Sequence, residues 1–292
     1  QGISPIEDEG IERHLTNGLK SGKLKAQKYS SHLVEQADFV VLALPTNFDE
    51  EIGGFDTSIL DDIIATIAKI DLDALRHNYG LAESLAPGSQ TIPMVKANAY
   101  GHGIENVYDA LRGADGFALL DIAEAQRLRQ LGWRGPILLL EGAFELRDLE
   151  WCSRLDLWHT VHCAEQIDWL ATHKTQVRHR VFLKLNSGMN RLGFKPDAYR
   201  SAWTRLNALP QVDEISLMTH FSDADGARGI AHQMAVFDAA STDLAGARTV
   251  SNSAALLRHA PNAPTVAADW VRAGIALYGS APDFPQGDAA LW

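Results

Sequence analysis

The sequence is poor in cysteine, in basic residues and in long apolar runs. Two cysteines in 292 residues are too few for a disulfide framework. The longest apolar runs, such as Phe39 to Leu44, are far shorter than the ~20 residues needed to span a bilayer, so we expect no membrane segment. The 26 Lys and Arg are outnumbered by 37 Asp and Glu, and no arginine-rich run stands out. This balance argues against nucleic acid and anionic membranes as partners and favours a small molecule.

A secretory signal is also not visible. The sequence opens with Gln1, without an initiator methionine and without the charged and apolar regions of a signal peptide. We therefore expect the protein to be cytoplasmic.

Both cysteines lie in one stretch, WCSRLDLWHTVHC, where Cys152 and Cys163 accompany His159 and His162. Such a mixture raises the question of a metal site. Zinc sites usually pair their ligands as C-x2-4-C or H-x3-5-H, and this spacing follows neither pattern. We interpret these residues as ordinary packing across a helix end and a strand, and expect no metal.

Short apolar runs alternate with longer amphipathic stretches from Ile67 to Trp292. Repeated alternation with strands that are apolar almost throughout predicts a parallel sheet covered by helices. About eight or nine such units in roughly 225 residues fit a closed (β/α)8 barrel of the TIM type, in the α/β class, better than an open sheet. The predicted strands are 67–70, 91–97, 116–120, 136–140, 157–160, 180–185, 214–219, 247–252 and 273–279.

Three helices are predicted most clearly, at DLDALRHNYGLAESL, DIAEAQRLRQLG and KPDAYRSAWTRLNAL. Each carries apolar residues at helical spacing. Asp71, Asp121 and Pro196 stand near their starts, and Gly132 stands just past the end of the second. These residue types are typical of helix boundaries.

The first 66 residues follow a different pattern. They contain one strong strand, Phe39 to Leu44, then a loop rich in Pro, Asn and Gly, and a helix that begins after Thr57 or Ser58. One strand-loop-helix unit is too small to bury a core of its own. We therefore divide the chain into residues 1–66 and a barrel of residues 67–292, with the junction near Ile64 to Lys69.

Two stretches of the first segment, QGISPIEDEGIERHL and ADFVVLALPTNFDEEIGGFDTS, resemble part of the UDP-glucose/GDP-mannose dehydrogenase family. The family's G-x-G-x-x-G fingerprint and its catalytic cysteine have no counterpart in this sequence. Thr46 matches a position near the cofactor in such enzymes, but without the glycine turn nothing holds a pyrophosphate. The resemblance therefore implies a fragment without dehydrogenase activity.

The stretch PMVKANAYGHG places Lys96 at the end of a predicted strand. Active sites of (β/α)8 barrels lie at the carboxyl ends of the strands. A partly desolvated lysine there has a lowered pKa and can bond covalently to an aldehyde cofactor such as pyridoxal phosphate. We assign no catalytic role to Asn98 or His102, and expect them to shape the loop whose tight turn Gly101 and Gly103 mark.

VKANAYGHG resembles the pyridoxal-phosphate signature of the alanine racemase family. Four further motifs of that family follow in order, namely KLNSGMNRLGF, MTHFSDADG, SNSAALL and VRAGIALYG. The resemblance covers about Ile67 to Gly279. It implies a barrel that binds pyridoxal 5'-phosphate and interconverts L-alanine and D-alanine, which supplies D-alanine for cell-wall peptidoglycan.

The resemblance implies roles for ten residues of this sequence, six of them at the cofactor's aldehyde and phosphate. Lys96 would bind the aldehyde and act as one of two catalytic bases, and Tyr100 would hydrogen-bond the phosphate. Phosphate sites after the seventh and eighth barrel strands are a recurrent arrangement. The rest of this phosphate pocket would be Asn252, Ser253, Gly274 and Ile275.

The remaining four residues would act on the cofactor ring and the substrate. Arg272, supported by His220, would face the pyridine nitrogen. Because a guanidinium is always protonated, it keeps that nitrogen unprotonated, which suits racemisation and discourages transamination. Arg191 would lie near the phenolic oxygen and the substrate carboxylate, where its donors can hold an anion. Lys184 matches a lysine that is often carbamylated in the family and pairs with this arginine.

Racemisation needs a base on each face of the α-carbon. In alanine racemases the second base is a tyrosine of a carboxyl-terminal β-domain, contributed by the partner subunit of a head-to-tail dimer. That domain is absent from this sequence, and no tyrosine in it matches the position. We therefore expect the isolated chain to bind the cofactor weakly and to racemise alanine poorly or not at all.

Two alternatives stay open at this point. One is another barrel enzyme with the same cofactor, such as a decarboxylase or a racemase for a different small amino acid. The other is a barrel that binds pyridoxal phosphate without turnover.

Overall fold

The computed structural model describes most of the chain from residue 70 onwards. Contacts between residues divide the chain into two compact units, Gln1–Lys69 and Ile70–Trp292. This division lies at the edge of the predicted junction, while the extents 1–66 and 67–292 remain predictions. The described residues are 70–263, 265–282, Lys20, Phe48–Asp49 and Gly54–Phe55.

In the first unit, Phe48–Asp49 and Gly54–Phe55 pair as two short antiparallel strands. They fall within the stretch predicted as a loop, which shows that this loop contains a small hairpin. The predicted strand at Phe39 to Leu44 and the helix predicted after Thr57 or Ser58 lie outside the described residues, as does most of the strand predicted at 67–70.

Eight parallel strands form the second unit within its described residues. Their order follows the chain, from β2 to β7 in one hydrogen-bonded sheet and from β8 to β1 in another. Met94 and Ala118 form a bridge that joins β1 to β2, and β7 and β8 are neighbours. The prediction of a TIM-type barrel is confirmed. The strands are β1 (Gln90–Pro93), β2 (Phe117–Leu119), β3 (Ile137–Leu139), β4 (Trp158–Val161), β5 (His179–Lys184), β6 (Val212–Met218), β7 (Arg248–Thr249) and β8 (Trp270–Ala273).

Helices surround the strands, and each strand from β1 to β7 is followed by one. The helix that precedes β1 contacts both the segment after β8 and the helix after β1, so it completes the outer layer. The right-handed α-helices of the described residues are α1 (Leu72–Leu85), α2 (Ile104–Leu111), α3 (Ile122–Gln130), α4 (Asp148–Leu155), α5 (Ala164–Thr172), α6 (Pro196–Asn207), α7 (Ala231–Ser241) and α8 (Ser253–His259). No helix among the described residues is long and apolar enough to cross a membrane.

The predicted helix boundaries are confirmed by their hydrogen bonds. Asp71 caps α1 by accepting from the backbone N–H groups of Asp73 and Ala74, and Asp121 caps α3 by accepting from the Ala123 N–H. Pro196 begins α6, where its missing N–H costs no helical hydrogen bond. Gly132 follows α3 with φ +100, a left-handed conformation that glycine adopts without strain.

The strands are buried on both faces, as their continuous apolar character predicts. Alternate side chains point outward and pack under the helices. The others fill the barrel interior, where Trp158 packs against Phe182 and meets Trp270 edge to face. The interior cluster consists of Ile92, Met94, Ala118, Leu138, Trp158, Phe182, Met218 and Trp270.

Two of the strand predictions are wrong in their extent. The run at 91–97 leaves the sheet after the bridge at Met94, and the run at 273–279 forms a 3-10 helix, Ile275–Tyr278, after a strand that ends at Ala273. In the second case Ala276 and Leu277 are buried, and the Leu277 carbonyl accepts from Asn78 of α1. Apolar periodicity cannot distinguish a short buried strand from a buried helical turn.

Candidate active site

One cavity of about 390 Å³ opens at the carboxyl ends of the barrel strands. This volume is within the range of small-molecule sites. The structure brings together all ten residues for which the sequence predicts a role. Each of them either follows the end of a strand or is the last residue of its strand that faces the barrel interior. They are Lys96, Tyr100, Lys184, Arg191, His220, Asn252, Ser253, Arg272, Gly274 and Ile275.

The cavity carries an excess of positive charge, although the whole chain has a net charge of -11. The acidic residues in its lining are Glu141 and Asp225. No carboxylate of the described residues forms an ion pair with any of the four cations. The cavity therefore suits a ligand that carries several negative charges. The four cations are Lys96, Lys184, Arg191 and Arg272.

Lys184 is the last residue of β5 and is buried beside two other cations. Burial lowers its pKa to about 8, and the charges of Arg272 and Arg191 act in the same direction. A measurable fraction of this amine is therefore neutral near pH 7. A neutral amine is nucleophilic, which an ammonium is not.

Arg272 is buried in β8 and fixed by hydrogen bonds. It donates to the Thr249 hydroxyl and, at 2.7 Å, to the Thr219 carbonyl, and its Nη2 lies 3.4 Å from His220 Nδ1. Burial lowers its pKa to about 10, so the guanidinium stays charged at neutral pH. The guanidinium is thus held by residues at the ends of β6 and β7, the two strands that precede its own.

His220 follows the end of β6 and is neutral at ordinary pH. Burial lowers its pKa well below the usual value, and the positive charge of Arg272 lowers it further. Because a guanidinium can only donate, His220 Nδ1 accepts from Arg272 and the ring proton sits on Nε2.

Tyr100, Ser253 and Gly274 converge at one end of the cavity. The Ser253 hydroxyl accepts from the backbone N–H of Gly274 at 2.9 Å and from that of Ala276 at 3.3 Å. A side-chain carbon on Gly274 would lie 3.1 Å from the Tyr100 hydroxyl and 3.5 Å from the Ser253 hydroxyl. Burial raises the pKa of Tyr100, so its hydroxyl keeps its proton and can donate. A side chain at this position would crowd both hydroxyl groups, so glycine keeps this end of the cavity open.

Asn252 and Ile275 lie on either side of this end. The Asn252 side chain caps α8 by accepting from the Ala255 N–H at 2.9 Å, and it donates to the Phe221 carbonyl at 3.2 Å. Ile275 is 42% exposed at the start of its 3-10 helix. Asn252 thus joins the strand end to α8, and its side chain is already engaged with the protein.

Lys96 is followed by a left-handed turn. Ala97, Asn98, Ala99 and Tyr100 all have φ between +51 and +55. Such a conformation costs about 1–2 kcal/mol for each residue that is not glycine, so roughly 4–8 kcal/mol must be offset by contacts. The Lys96 amine lies 5.8 Å from the centre of the Tyr100 ring.

The expected loop around this turn is confirmed. Gly101 and Gly103 have φ +89 and +85, and α2 begins directly after them. The Asn98 carbonyl accepts from the Gly103 N–H at 2.9 Å, and its side-chain oxygen accepts from the Ile104 N–H at 3.1 Å. The His102 ring packs against Tyr278.

Sequence reasoning missed three residues that build the site. Thr219 and Thr249 hold Arg272, and Tyr278 donates to the Met94 carbonyl at 2.9 Å while its ring packs on Tyr100. The two threonines stand at the ends of apolar strands, which was an available signal. Tyr278 gave none, because its segment resembles a strand.

The stretch that contains both cysteines is core packing and a helix boundary. Cys152 is buried in α4, and burial raises the pKa of its thiol to about 12. Cys163 precedes α5 at its N-terminus. No group of three or more His, Cys, Asp and Glu among the described residues is arranged to hold a metal ion.

His159 belongs to a cluster under α4 and α5, on the outer face of the sheet. Its Nε2 lies 3.1 Å from Nδ1 of His179, and the Ser153 hydroxyl lies 3.2 Å from His173 Nε2 and 3.4 Å from His179 Nε2. Burial lowers the pKa of His159 to about 3 and that of His179 to about 4, and the neighbouring rings add to both effects. We call His159, His173 and His179 the histidine cluster.

Comparison with known proteins identifies the family of the barrel. Residues 70–282 match the family described as alanine racemase, N-terminal domain. The chain belongs to the alanine racemase family. The resemblance found in the five motifs is thereby confirmed for the barrel, while the dehydrogenase resemblance of residues 1–66 lies outside the match and stays a prediction.

Two relatives and two solved structures illustrate this membership. The alanine racemase of Albidiferax ferrireducens is 70% identical over 229 residues, and that of Variovorax paradoxus is 69% identical over 226 residues. The match covers 77% of this chain and 61% of each relative, so the chain spans about three fifths of their length. The biosynthetic alanine racemase from Pseudomonas aeruginosa has a TM-score of 0.70 at 41% identity, covering 75% of this chain and 61% of that one. The alanine racemase from Acinetobacter baumannii has a TM-score of 0.66 at 33% identity, covering 73% and 60%.

Proposed function

We propose that this chain binds pyridoxal 5'-phosphate in the barrel cavity and takes part in the interconversion of L-alanine and D-alanine. The observation that carries the proposal is the convergence on one cavity of four cations that form no ion pair with a described carboxylate, with Lys96 among them. The relatives named alanine racemase support the same reaction. By the same resemblance we propose a role in D-alanine supply for peptidoglycan, a cytoplasmic location and a homodimer.

The residues present fit this cofactor. Tyr100 and Ser253 supply hydroxyl groups beside Gly274, whose lack of a side chain leaves space next to them for a phosphate. When bound, pyridoxal phosphate supplies an aldehyde that takes up an amino group and a conjugated ring that accepts the electrons left when an α-proton departs. Lys96 would hold the cofactor through its aldehyde carbon.

The roles of the other residues follow from their protonation. Lys96, once released by an incoming amino acid, would remove and return the α-proton on one face of the α-carbon. Arg272 would donate to the pyridine nitrogen and leave it unprotonated, since a guanidinium has no acceptor. Arg191 is exposed and unpaired among the described residues, so it would bind the substrate carboxylate. His220 would keep Arg272 in place.

The base for the opposite face is proposed to come from a partner subunit, as the family resemblance implies. On this proposal a single barrel supplies one of the two bases and is a half-site. We expect it to exchange the α-hydrogen of one alanine enantiomer with solvent and to racemise slowly or not at all.

The test is to add pyridoxal phosphate to the purified chain and record the visible absorbance. We expect a band that borohydride fixes, with the label on Lys96 by peptide mass spectrometry. Exchange of the α-hydrogen of each enantiomer is then followed in deuterated buffer. Exchange of one enantiomer only supports the half-site, and a label without any exchange supports a binding protein without turnover. The absence of a band contradicts the proposal.

We also propose that Lys184 is carbamylated. Its neutral amine would bond to the carbon of CO2 with release of one proton, which places a negative charge beside Arg191 and Arg272 and removes a like-charge repulsion. Intact mass spectrometry at mildly alkaline pH in bicarbonate should show the added mass of one CO2, and Lys184→Arg should abolish it. An unchanged mass under native, alkaline conditions contradicts this proposal.

A further inference from the structure

Two residues of α3 contact the left-handed turn from outside the cavity. The Glu124 carboxylate accepts from the backbone N–H of Asn98 at 2.6 Å, and Arg127 Nη2 donates to the Asn98 side-chain oxygen at 2.8 Å. Neither residue of α3 lines the cavity. They therefore act on the turn and do not touch a bound ligand.

The two contacts join three elements of the barrel at one asparagine. Asn98 Oδ1 also accepts from the Ile104 N–H at 3.1 Å, so the amide that Arg127 holds connects the turn to α2. Arg127 is itself held by Glu105 of α2 through an ion pair in which its Nε donates at 2.6 Å. The turn is thus fixed to α2 and α3 at the residue in its middle.

The turn needs such contacts because its sequence does not favour its conformation. Of its residues Ala97, Asn98, Ala99 and Tyr100, only asparagine visits the left-handed region readily. A conformation of this kind persists where the surroundings enforce it, and it is common at functional sites. The turn begins directly after Lys96 and ends on Tyr100, so its geometry sets the positions of both side chains.

We propose that Glu124 and Arg127 are positioning residues that enforce the left-handed turn and thereby hold Lys96 and Tyr100 in their places at the cavity. The consequence for the cofactor rests on the proposed function. The effect on the turn does not, because the contacts are made by the protein alone.

The first measurement needs no cofactor. Hydrogen exchange of the peptide covering residues 94–103 is compared in the wild-type chain, Glu124→Ala and Arg127→Met. We expect faster exchange of the Asn98, Gly101 and Gly103 amides in both variants, since local opening becomes easier when the contacts are lost. Unchanged exchange of this peptide in both variants overturns the proposal.

The conservative variant Glu124→Gln separates the hydrogen bond from the charge. Its amide oxygen can accept from the Asn98 N–H, and the second carboxylate oxygen that it replaces has no hydrogen-bond partner in the structure. We expect Glu124→Gln to restore the slow exchange of wild type. Exchange as fast as in Glu124→Ala would mean that this hydrogen bond does not hold the turn.

The second measurement is cofactor affinity, with Arg129→Met as the matched control. Arg129 lies on the same helix and holds the carbonyls of Leu155 and Asp156, away from the turn. We expect Glu124→Ala and Arg127→Met to bind pyridoxal phosphate roughly 10- to 100-fold more weakly, and Arg129→Met to lower the melting temperature without this loss. Affinity unchanged in the first two variants, or equally reduced in the control, overturns the positioning role.

Different results would contradict the proposed function and the positioning role. A wild-type chain that shows no absorbance band contradicts the proposed function, and the exchange measurement still decides whether Glu124 and Arg127 hold the turn. If Glu124→Ala does not fold, Arg127→Met still gives the comparison with wild type, because it removes the other contact to Asn98.

Discussion

Lys96→Ala is expected to abolish the visible band and the label that borohydride fixes in the wild-type chain. Among the described residues the other lysine that lines the cavity is Lys184, which lies at the end of β5 and not at the start of the left-handed turn. Loss of a general base typically slows proton transfer by ~100- to 10,000-fold, so α-hydrogen exchange should fall by about that factor. The measurement is absorbance, peptide mass spectrometry and exchange by NMR in deuterated buffer.

The matched control is Lys195→Ala, which removes an exposed lysine just before α6. We expect it to behave as wild type in all three measurements. A label that moves to Lys184 in the Lys96→Ala chain, with exchange preserved, would contradict the assignment of Lys96 as the base.

Acid is expected to begin destabilising the barrel at a pH above the range in which carboxylates titrate. His159 and His179 are neutral in the folded chain, with pKa values of about 3 and about 4, while an unfolded histidine has a pKa near 6.5. Below pH 6.5 these two histidines bind protons in the unfolded chain but not in the folded chain. Stability is therefore complete above pH 6.5 and is lost as the pH falls from there towards 4.

The expected loss of stability in acid is large for a single histidine. For the fully buried His159 the loss is on the order of 3 kcal/mol at pH 4, a sizeable part of the stability of an ordinary domain. The geometry gives the reason. The 3.1 Å contact between His159 Nε2 and His179 Nδ1 holds one hydrogen, so a second proton there would place two donors face to face.

His159→Gln is the variant that tests this. A glutamine side chain offers an N–H at a similar reach and cannot be protonated, so we expect near wild-type stability at pH 7.5 and a flatter decline in acid. Urea unfolding followed by circular dichroism from pH 7.5 to 4 gives the comparison, with His77→Gln on α1 as the control. An acid profile that is the same in all three proteins would show that the cluster is not responsible.

The boundaries of the fold could be predicted where the local chemistry decides them. Asp71 and Asp121 are good helix caps in any context, and the inward and outward residues of the strands are apolar whichever way the barrel closes. The family motifs placed all ten candidate residues on one cavity because each motif follows a strand, and parallel strands end on the same side.

The left-handed turn and the histidine cluster could not be predicted in this way. The Asn98 N–H in the left-handed turn donates to Glu124, which is 26 residues away in the sequence. His159 gave only a weak hint of a metal site, because its real partner, His179, comes 20 residues later on the next strand. Local patterns do not contain contacts between separate elements.

Closure of the barrel depends on contacts between opposite ends of its sequence. Asn78 of α1 donates to the carbonyl of Leu277, which is 199 residues away, and Tyr278 donates to the Met94 carbonyl, which is 184 residues away. Contacts between residues so far apart in the sequence form late, because the entropy of closing a long loop opposes them until the intervening strands have paired. We therefore expect the edge of β1 to stay unpaired during synthesis at least until β8 has emerged, and an unpaired strand edge favours aggregation in that interval.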